Sequence, residues 1–479
     1  MGLKQKTVIG LFWSFSQQFS SQIIAFAVSI ILARLLSPSD FGLIGMLSIF
    51  ISLGNSLMDS GMTSSIIRTV DADQKDYSTV FLINITSSIV IYIVVFFGAP
   101  FIALFYDQPI LKDIVRLYSL TFVFTAFMGI QSAKLTKEMK FRLQMLIQIP
   151  SVIIGGIVGI LFAYQGYGVW SLVYMSLVQT LLLSAQHWLY SGWRPSLKFD
   201  LERFKLHFGF GYKITLSGLI VMVYDNIFTI IIGKYYSAAQ LGFYTRALSL
   251  RQLPISNLSS ALNKVTYPML SLLNSDDVKL KEVYRRLMQQ VIFWIVPLLI
   301  FLIVVAEPLI KFLLTDKWLP AVPYFQILCL TGIFLPLQGY NGNILKVKGR
   351  TDTILKIQIF QKIFGIIGII IVLPFGIFGL LYFQLFSAVV DYIIGAFYGG
   401  KMINYHILEQ LNDISPSIGL AFLIGFLTWF LDIFLVHALI PDLGRLIIEG
   451  LFYFVFYLCF SILIKLAALN DFKELILKR

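Results

Sequence analysis

The side chains best able to do chemistry are charged groups set inside or at the ends of long apolar runs: Arg34, Asp59, Asp225, Lys234, Arg246 and Arg251. Charges are expensive in a bilayer, and those found there face a cavity or a partner. Arg246 and Arg251 share a run read as one span over 240–263, with Pro254 following them. Two guanidiniums and a helix-bending proline in one span predict a water-filled lining. The guanidinium fork matches an anionic group such as a diphosphate. Substrate binding is therefore assigned to Arg246 and Arg251, with an ion pair to Asp225 of the preceding span as the alternative.

Asp225 lies between Tyr224 and Asn226 near the middle of a span read as 214–233, where an unpaired carboxylate is costly. Either it binds a coupling cation or proton, or it neutralises an arginine. Asp59, late in the second span, reads in the same two ways. Arg34 and Lys234 occupy equivalent outer helix ends, as snorkelling anchors or as a cavity entrance.

Other patterns carry no chemistry. His406 and Glu409 have helical spacing but no further ligands for a metal, and Cys329 and Cys459 are too far apart in the chain to mark a metal site or a disulfide framework. The sequon at Asn84, Ile85 and Thr86 falls within a span. Ser151, Gly155 and Gly159 are spaced for close helix packing. Without a Walker phosphate loop, the chain does not hydrolyse ATP by that route.

The elements that must position these groups follow from composition. Hydrophobic residues make up 58% of the 479 and charged residues 13%, about half the charged share of a soluble domain. No Asp, Glu, Lys or Arg occurs from Leu143 to Trp193. A bilayer core of about 30 Å takes roughly 20 helical residues, so this block holds two spans that turn at Gly166 to Gly168. The same logic splits 357–400 at Pro374 to Gly376. The run after Lys4 and Lys6 is too long for a secretory signal and is read as a retained first span, 8–33. About fourteen spans result, the ninth at 288–311 and the last at 446–466.

The net charge of +12 orients the chain rather than binding nucleic acid. Lys and Arg number 27 on the side of the N-terminus and 7 on the other, which places both termini in the cytoplasm and the basic loops against anionic lipid headgroups.

Internal similarity organises the spans. The segment LARLLSPSDFGL from Leu32 aligns with IGKYYSAAQLGF from Ile232, pairing Arg34 with Lys234, Ser37 with Ser237 and Gly42 with Gly242. Further pairs are Asp107 with Asp316, Gly129 with Gly339, Lys140 with Arg350, Gly155 with Gly365 and Gly166 with Gly376. A unit of six spans keeps its orientation, so an axis along the membrane normal relates the copies. The expected architecture is an all-α polytopic membrane protein. It has a six-helix lobe over 1–192, an amphipathic cytoplasmic linker over 193–213, a second six-helix lobe over 214–400, and a helix pair with a tail over 401–479. A short surface helix is expected within 274–290.

The segment LGFYTRALSLRQLPISNLSSALNKVTYPMLS, Leu241 to Ser271, resembles the Wzx-type polysaccharide and O-antigen flippases, as do LARLLSPSDFGL and GYGVWSLV from Gly166. The likeness is greatest to the colanic-acid exporter branch and covers most of the chain to about residue 400. It implies the fold of the multidrug, oligosaccharidyl-lipid and polysaccharide exporter superfamily, two lobes around a central cavity. It also implies an undecaprenyl-diphosphate-linked oligosaccharide as substrate, moved by alternating access in the bacterial cytoplasmic membrane. Arg246 and Asp225 stand at recurrent family positions. Membrane lipids and a polysaccharide polymerase or export machinery are the implied partners, and no cofactor beyond a coupling cation, Na+ or H+, is expected. The nearest rival is a cation-coupled drug or metabolite exporter of the same superfamily, for which acidic walls at Asp59 and Asp225 would suit. A membrane polymerase or glycosyltransferase is disfavoured because the outer connections are short, so the chain is read as no enzyme.

Overall fold

Short polar side chains start and stop the helices. The computed structural model describes residues 3–436, 440–469 and 471, and every regular element among them is a helix. Two compact units divide the chain. Unit 1, Met1–Gly242, holds α1 (Leu3–Leu35), α2 (Pro38–Asp59), α3 (Met62–Arg68), α4 (Gln74–Tyr106), α5 (Leu111–Tyr118), α6 (Leu120–Lys137), α7 (Phe141–Tyr164), α8 (Trp170–Tyr190), α9 (Leu201–Asp225), α10 (Ile227–Tyr235) and the first turn of α11 (Ala238–Leu272). Unit 2, Phe243–Arg479, holds the rest of α11, α12 (Asp277–Val304), α13 (Ala306–Leu314), α14 (Val322–Gly332), α15 (Phe334–Val347), α16 (Thr351–Val372), α17 (Gly376–Met402), α18 (Ile407–Leu431) and α19 (Asp442–Leu463).

Capping fixes where these helices begin. At α2 the Ser37 hydroxyl accepts from the Asp40 amide at 3.3 Å while the Asp40 carboxylate accepts from the Ser37 amide at 2.9 Å, and Pro38 supplies the first turn. The start of α11 repeats this reciprocal box, with Gln240 in place of Asp40 and both bonds at 3.2 Å. Local geometry recurs at other paired positions. Met139 and Gly349 adopt positive φ of 55° and 67° just before α7 and α16, and the N-caps Lys140 and Arg350 follow with nearly the same angles. Gly166 and Gly376 turn the chain with φ of 83° and 77°, a region a side chain rarely enters. Close approach explains Gly42 and Gly242: a Cβ on either would lie 1.7 or 1.9 Å from the carbonyl oxygen of Ala238 or Pro38.

In unit 1, α7 packs between α1 and α8, and α6 joins α4 to α8. In unit 2, α17 packs on α14, α15 and α16, and α18 on α12 and α19. Small and polar residues fill these seams. Gly155 and Gly159 meet Gln179 and Met175 of α8, and the Gln186 amide donates to the Ser151 hydroxyl at 2.7 Å. Large apolar residues such as Phe97, Phe101, Leu104 and Ile370 point outward. That distribution suits a lipid solvent, in which apolar burial gives no advantage and close packing with interhelical hydrogen bonds does. Eleven apolar stretches among the described residues are long enough to cross a membrane, one of them, Thr351–Met402, containing both α16 and α17. The chain is a multi-pass helical membrane protein.

Several boundaries differ from those read in the sequence. The stretch 193–213 divides at Asp200, whose carboxylate accepts from the amides of Glu202 and Arg203 and starts α9. From Leu201 onward the residues expected to lie in a linker are continuous with the span. The span read as 214–233 is instead broken at Asn226, between α9 and α10. The surface helix expected within 274–290 and the span after it form one helix, α12, which Asp276 caps at its start and which continues through Pro297 to Val304.

Candidate functional site

The reciprocal box at Ser237 and Gln240 sets the start of α11, so Arg246 and Arg251 fall in its third and fourth turns. Both are buried, 6% and 5% exposed. The Arg246 guanidinium lies 5.6 Å from the ring centre of Trp318, itself fully buried in the 3-10 turn Asp316–Ala321. A guanidinium over an indole face gains most when water is excluded. Arg251 donates to the Leu328 carbonyl of α14 at 3.5 Å and to the Gln252 carboxamide at 3.4 Å. Tyr244, two turns before Arg251, is buried and donates to Gln384 of α17 at 3.4 Å. The helix runs unbroken through Pro254. The structure thus sets both arginines inside unit 2, against an aromatic face and a carbonyl.

The remaining charged candidates lie in unit 1. Asp225 is exposed and ends α9, and Asn226 closes that end by donating to the Met222 carbonyl at 2.9 Å. Its carboxylate therefore stands at a helix break. Asp59 is half-buried and accepts from the amide of Thr63 at 3.2 Å and from its hydroxyl, tying the end of α2 to α3. Lys234 is half-buried, 3.1 Å from Asp107 and above the Phe105 ring. Arg34 is exposed at the end of α1.

Two buried networks escaped the sequence reading. In unit 1, His207 of α9 sets Nε2 3.0 Å from Asp76 and Nδ1 2.9 Å from the Ser65 hydroxyl, all three at most 3% exposed. Arg203 lies 3.4 Å from Asp76 and 3.6 Å from Asp73. The order Asp, His, Ser is that of a nucleophilic triad, but a hydroxyl this buried is closed to a substrate, and the chain instead ties α9 to α3 and α4. Asp73, outside the span, is held below the usual carboxylate range chiefly by the Asp76 amide. In unit 2, Arg445 of α19 pairs with Asp432 through two bonds of 3.0 and 2.7 Å, with Asp442 and Glu449 3.6 and 3.8 Å away. The spacing of Asp442, Arg445 and Glu449 on one helical face is the signal that could have found the second network, and a lone histidine in a supposed linker gave none for the first. No group of three metal-ligating side chains is placed to hold an ion among the described residues.

With this geometry in place, comparison identifies relatives. Residues 31–323 match the family model described as polysaccharide biosynthesis protein. The lipopolysaccharide biosynthesis protein WzxC of Escherichia coli K12 is 25% identical over 78% of this chain and 76% of its own. The teichuronic acid biosynthesis protein TuaB of Bacillus subtilis 168 is 27% identical over 62% of each. Among solved structures, the lipid II flippase MurJ in an inward closed conformation matches with a TM-score of 0.70 and 18% identity, covering 94% of this chain and 99% of that one.

Proposed function

The chain belongs to the polysaccharide biosynthesis protein family, and from that premise we propose that this polytopic transporter of the flippase superfamily moves undecaprenyl-diphosphate-linked oligosaccharide across the bacterial cytoplasmic membrane. The observation that carries the reading is the family match itself, whose segment 31–323 includes α11 and its two buried arginines. Relatives named for lipopolysaccharide and teichuronic acid biosynthesis support a surface-polysaccharide role, and the lipid II flippase fold supports movement rather than synthesis.

In this reading fourteen spans leave both termini in the cytoplasm. Lobes over 1–192 and 214–400, joined through 193–213, alternate access to a cavity, and 401–479 adds a helix pair. Arg246 and Arg251 take the diphosphate through charge-assisted hydrogen bonds once the lobes open, exchanging Trp318 and the Leu328 carbonyl for phosphate oxygens. The lipid tail stays in the bilayer and no bond of the substrate breaks. Asp225 and Asp59 balance charge or hold a coupling Na+ or H+, and Arg34 and Lys234 flank the outer entrance. A cation-coupled drug or metabolite exporter is the second reading, favoured by the exposed Asp225 carboxylate.

Deleting the gene in its host tests the proposal. The expected result is loss of one surface polysaccharide, with lipid-linked repeat units accumulating on the cytoplasmic leaflet and restoration by the wild-type chain. Unchanged polymer in a strain without a redundant exporter would contradict it.

A further inference from the structure

In unit 2, away from the arginines of α11, a cavity of about 550 Å³ lies among α12, α13, α14, α18 and α19. Its walls are largely apolar, with Ile300, Val304, Leu330 and Phe426 among them, while Glu307, Asp432 and Arg445 lie together on its border. Phe426 and Trp429 are 59% and 47% exposed, so the cavity opens onto the apolar surface where this unit meets lipid.

The charges on that border do not cancel. Arg445 already holds Asp432 through two hydrogen bonds, with Asp442 at 3.6 Å and the fully buried Glu449 at 3.8 Å. Glu307 is exposed and makes no hydrogen bond among the described residues. With the Arg445 guanidinium engaged by Asp432, the Glu307 carboxylate leaves an excess of negative charge beside an apolar cavity. An anionic lipid would meet that excess as repulsion, and a quaternary ammonium has no N–H to give the carboxylates. A primary ammonium does, and a phosphate on the same headgroup can share the Arg445 guanidinium. The volume is in the range of small-ligand sites, enough for such a headgroup and the start of an acyl chain along Ile300, Val304 and Phe426.

We propose that this cavity is a regulatory or structural binding site for an aminophospholipid of the phosphatidylethanolamine class, its ammonium on Glu307 and Asp432 and its phosphate at Arg445. The site stands on the cavity and its charges, and is independent of which substrate is transported.

Trp429 reports on it. The full chain is reconstituted in vesicles carrying acyl-brominated phosphatidylethanolamine, phosphatidylcholine or phosphatidylglycerol, and the Trp429 signal is taken as the difference from Trp429→Phe. Brominated phosphatidylethanolamine is expected to quench that signal at a severalfold lower mole fraction than the other two. Glu307→Gln, an exposed change that should leave thermal unfolding unaltered, is expected to reduce the preference roughly fivefold, as loss of one partly screened ion pair would. Equal quenching by all three lipids would mean annular contact only, and stronger quenching by phosphatidylglycerol would mean an anionic-lipid site. Either overturns the proposal, as does a preference that Glu307→Gln leaves intact.

Discussion

A single guanidinium decides most between the readings. If Arg246 takes a diphosphate, Arg246→Ala is expected to abolish polymer export while the protein still inserts and accumulates. Arg246→Lys should recover only part of the activity, because an ammonium cannot make the forked contact. If Arg246 serves only to balance Asp225, either single change leaves one charge uncompensated and destabilises the fold, and Arg246→Ala combined with Asp225→Ala restores accumulation and export together. Export and abundance measured side by side in the three variants separate the two roles. The Ser65, His207 and Asp76 chain makes a different demand. His207→Ala leaves a fully buried carboxylate short of a donor, which should lower stability by about 1–3 kcal/mol, read as an earlier thermal transition in detergent. An unchanged transition would show that the chain does not anchor α9.

The helices depend on caps that the sequence partly displays. Ser37→Ala and Ser237→Ala each remove one half of a reciprocal box, and each should cost about 0.5–2 kcal/mol, whereas a change at an exposed serine without a cap, such as Ser415, should be near neutral. Thermal unfolding of the three variants checks this. At α4 the carboxylate of Asp73 accepts from the amides of Lys75 and Asp76 and is held below its ordinary value of 3.8. A depressed folded value means that the contribution is complete above the unfolded value and fades as pH falls through the folded one. Asp73→Asn should therefore be less stable than the wild type at neutral pH, the gap narrowing below about pH 4. A gap that does not narrow would assign the effect to packing. These elements also mark what was legible. Apolar runs and the turns at Gly166 and Gly376 announce themselves locally. The break at Asn226 and the continuity of α9 with the stretch before it do not, because Leu201 to Lys213 carries the mixture of charge and aromatic residues that an interfacial segment also has. The partners of His207 lie 131 and 142 residues away in the chain, and no spacing rule reaches that far.

At the scale of the molecule, the outward apolar side chains and polar seams place the chain in a membrane, and the family match makes it a member of the polysaccharide biosynthesis protein family. Reporter fusions are expected to put both termini, the Lys134 to Arg142 loop and the Lys346 to Arg350 loop in the cytoplasm, where the excess of Lys and Arg lies; an external Lys134 to Arg142 loop would remove the parallel repeat. The most direct measurement is translocation itself. Purified protein is reconstituted in vesicles whose inner leaflet carries an undecaprenyl-diphosphate oligosaccharide with a labelled sugar, and the label's exposure to an impermeant reagent is followed with time. The wild-type chain is expected to bring the label to the outer leaflet faster than protein-free vesicles do, and Arg246→Ala to bring it no faster. Label that stays inside at the protein-free rate, with the wild-type chain folded and inserted, would contradict the account.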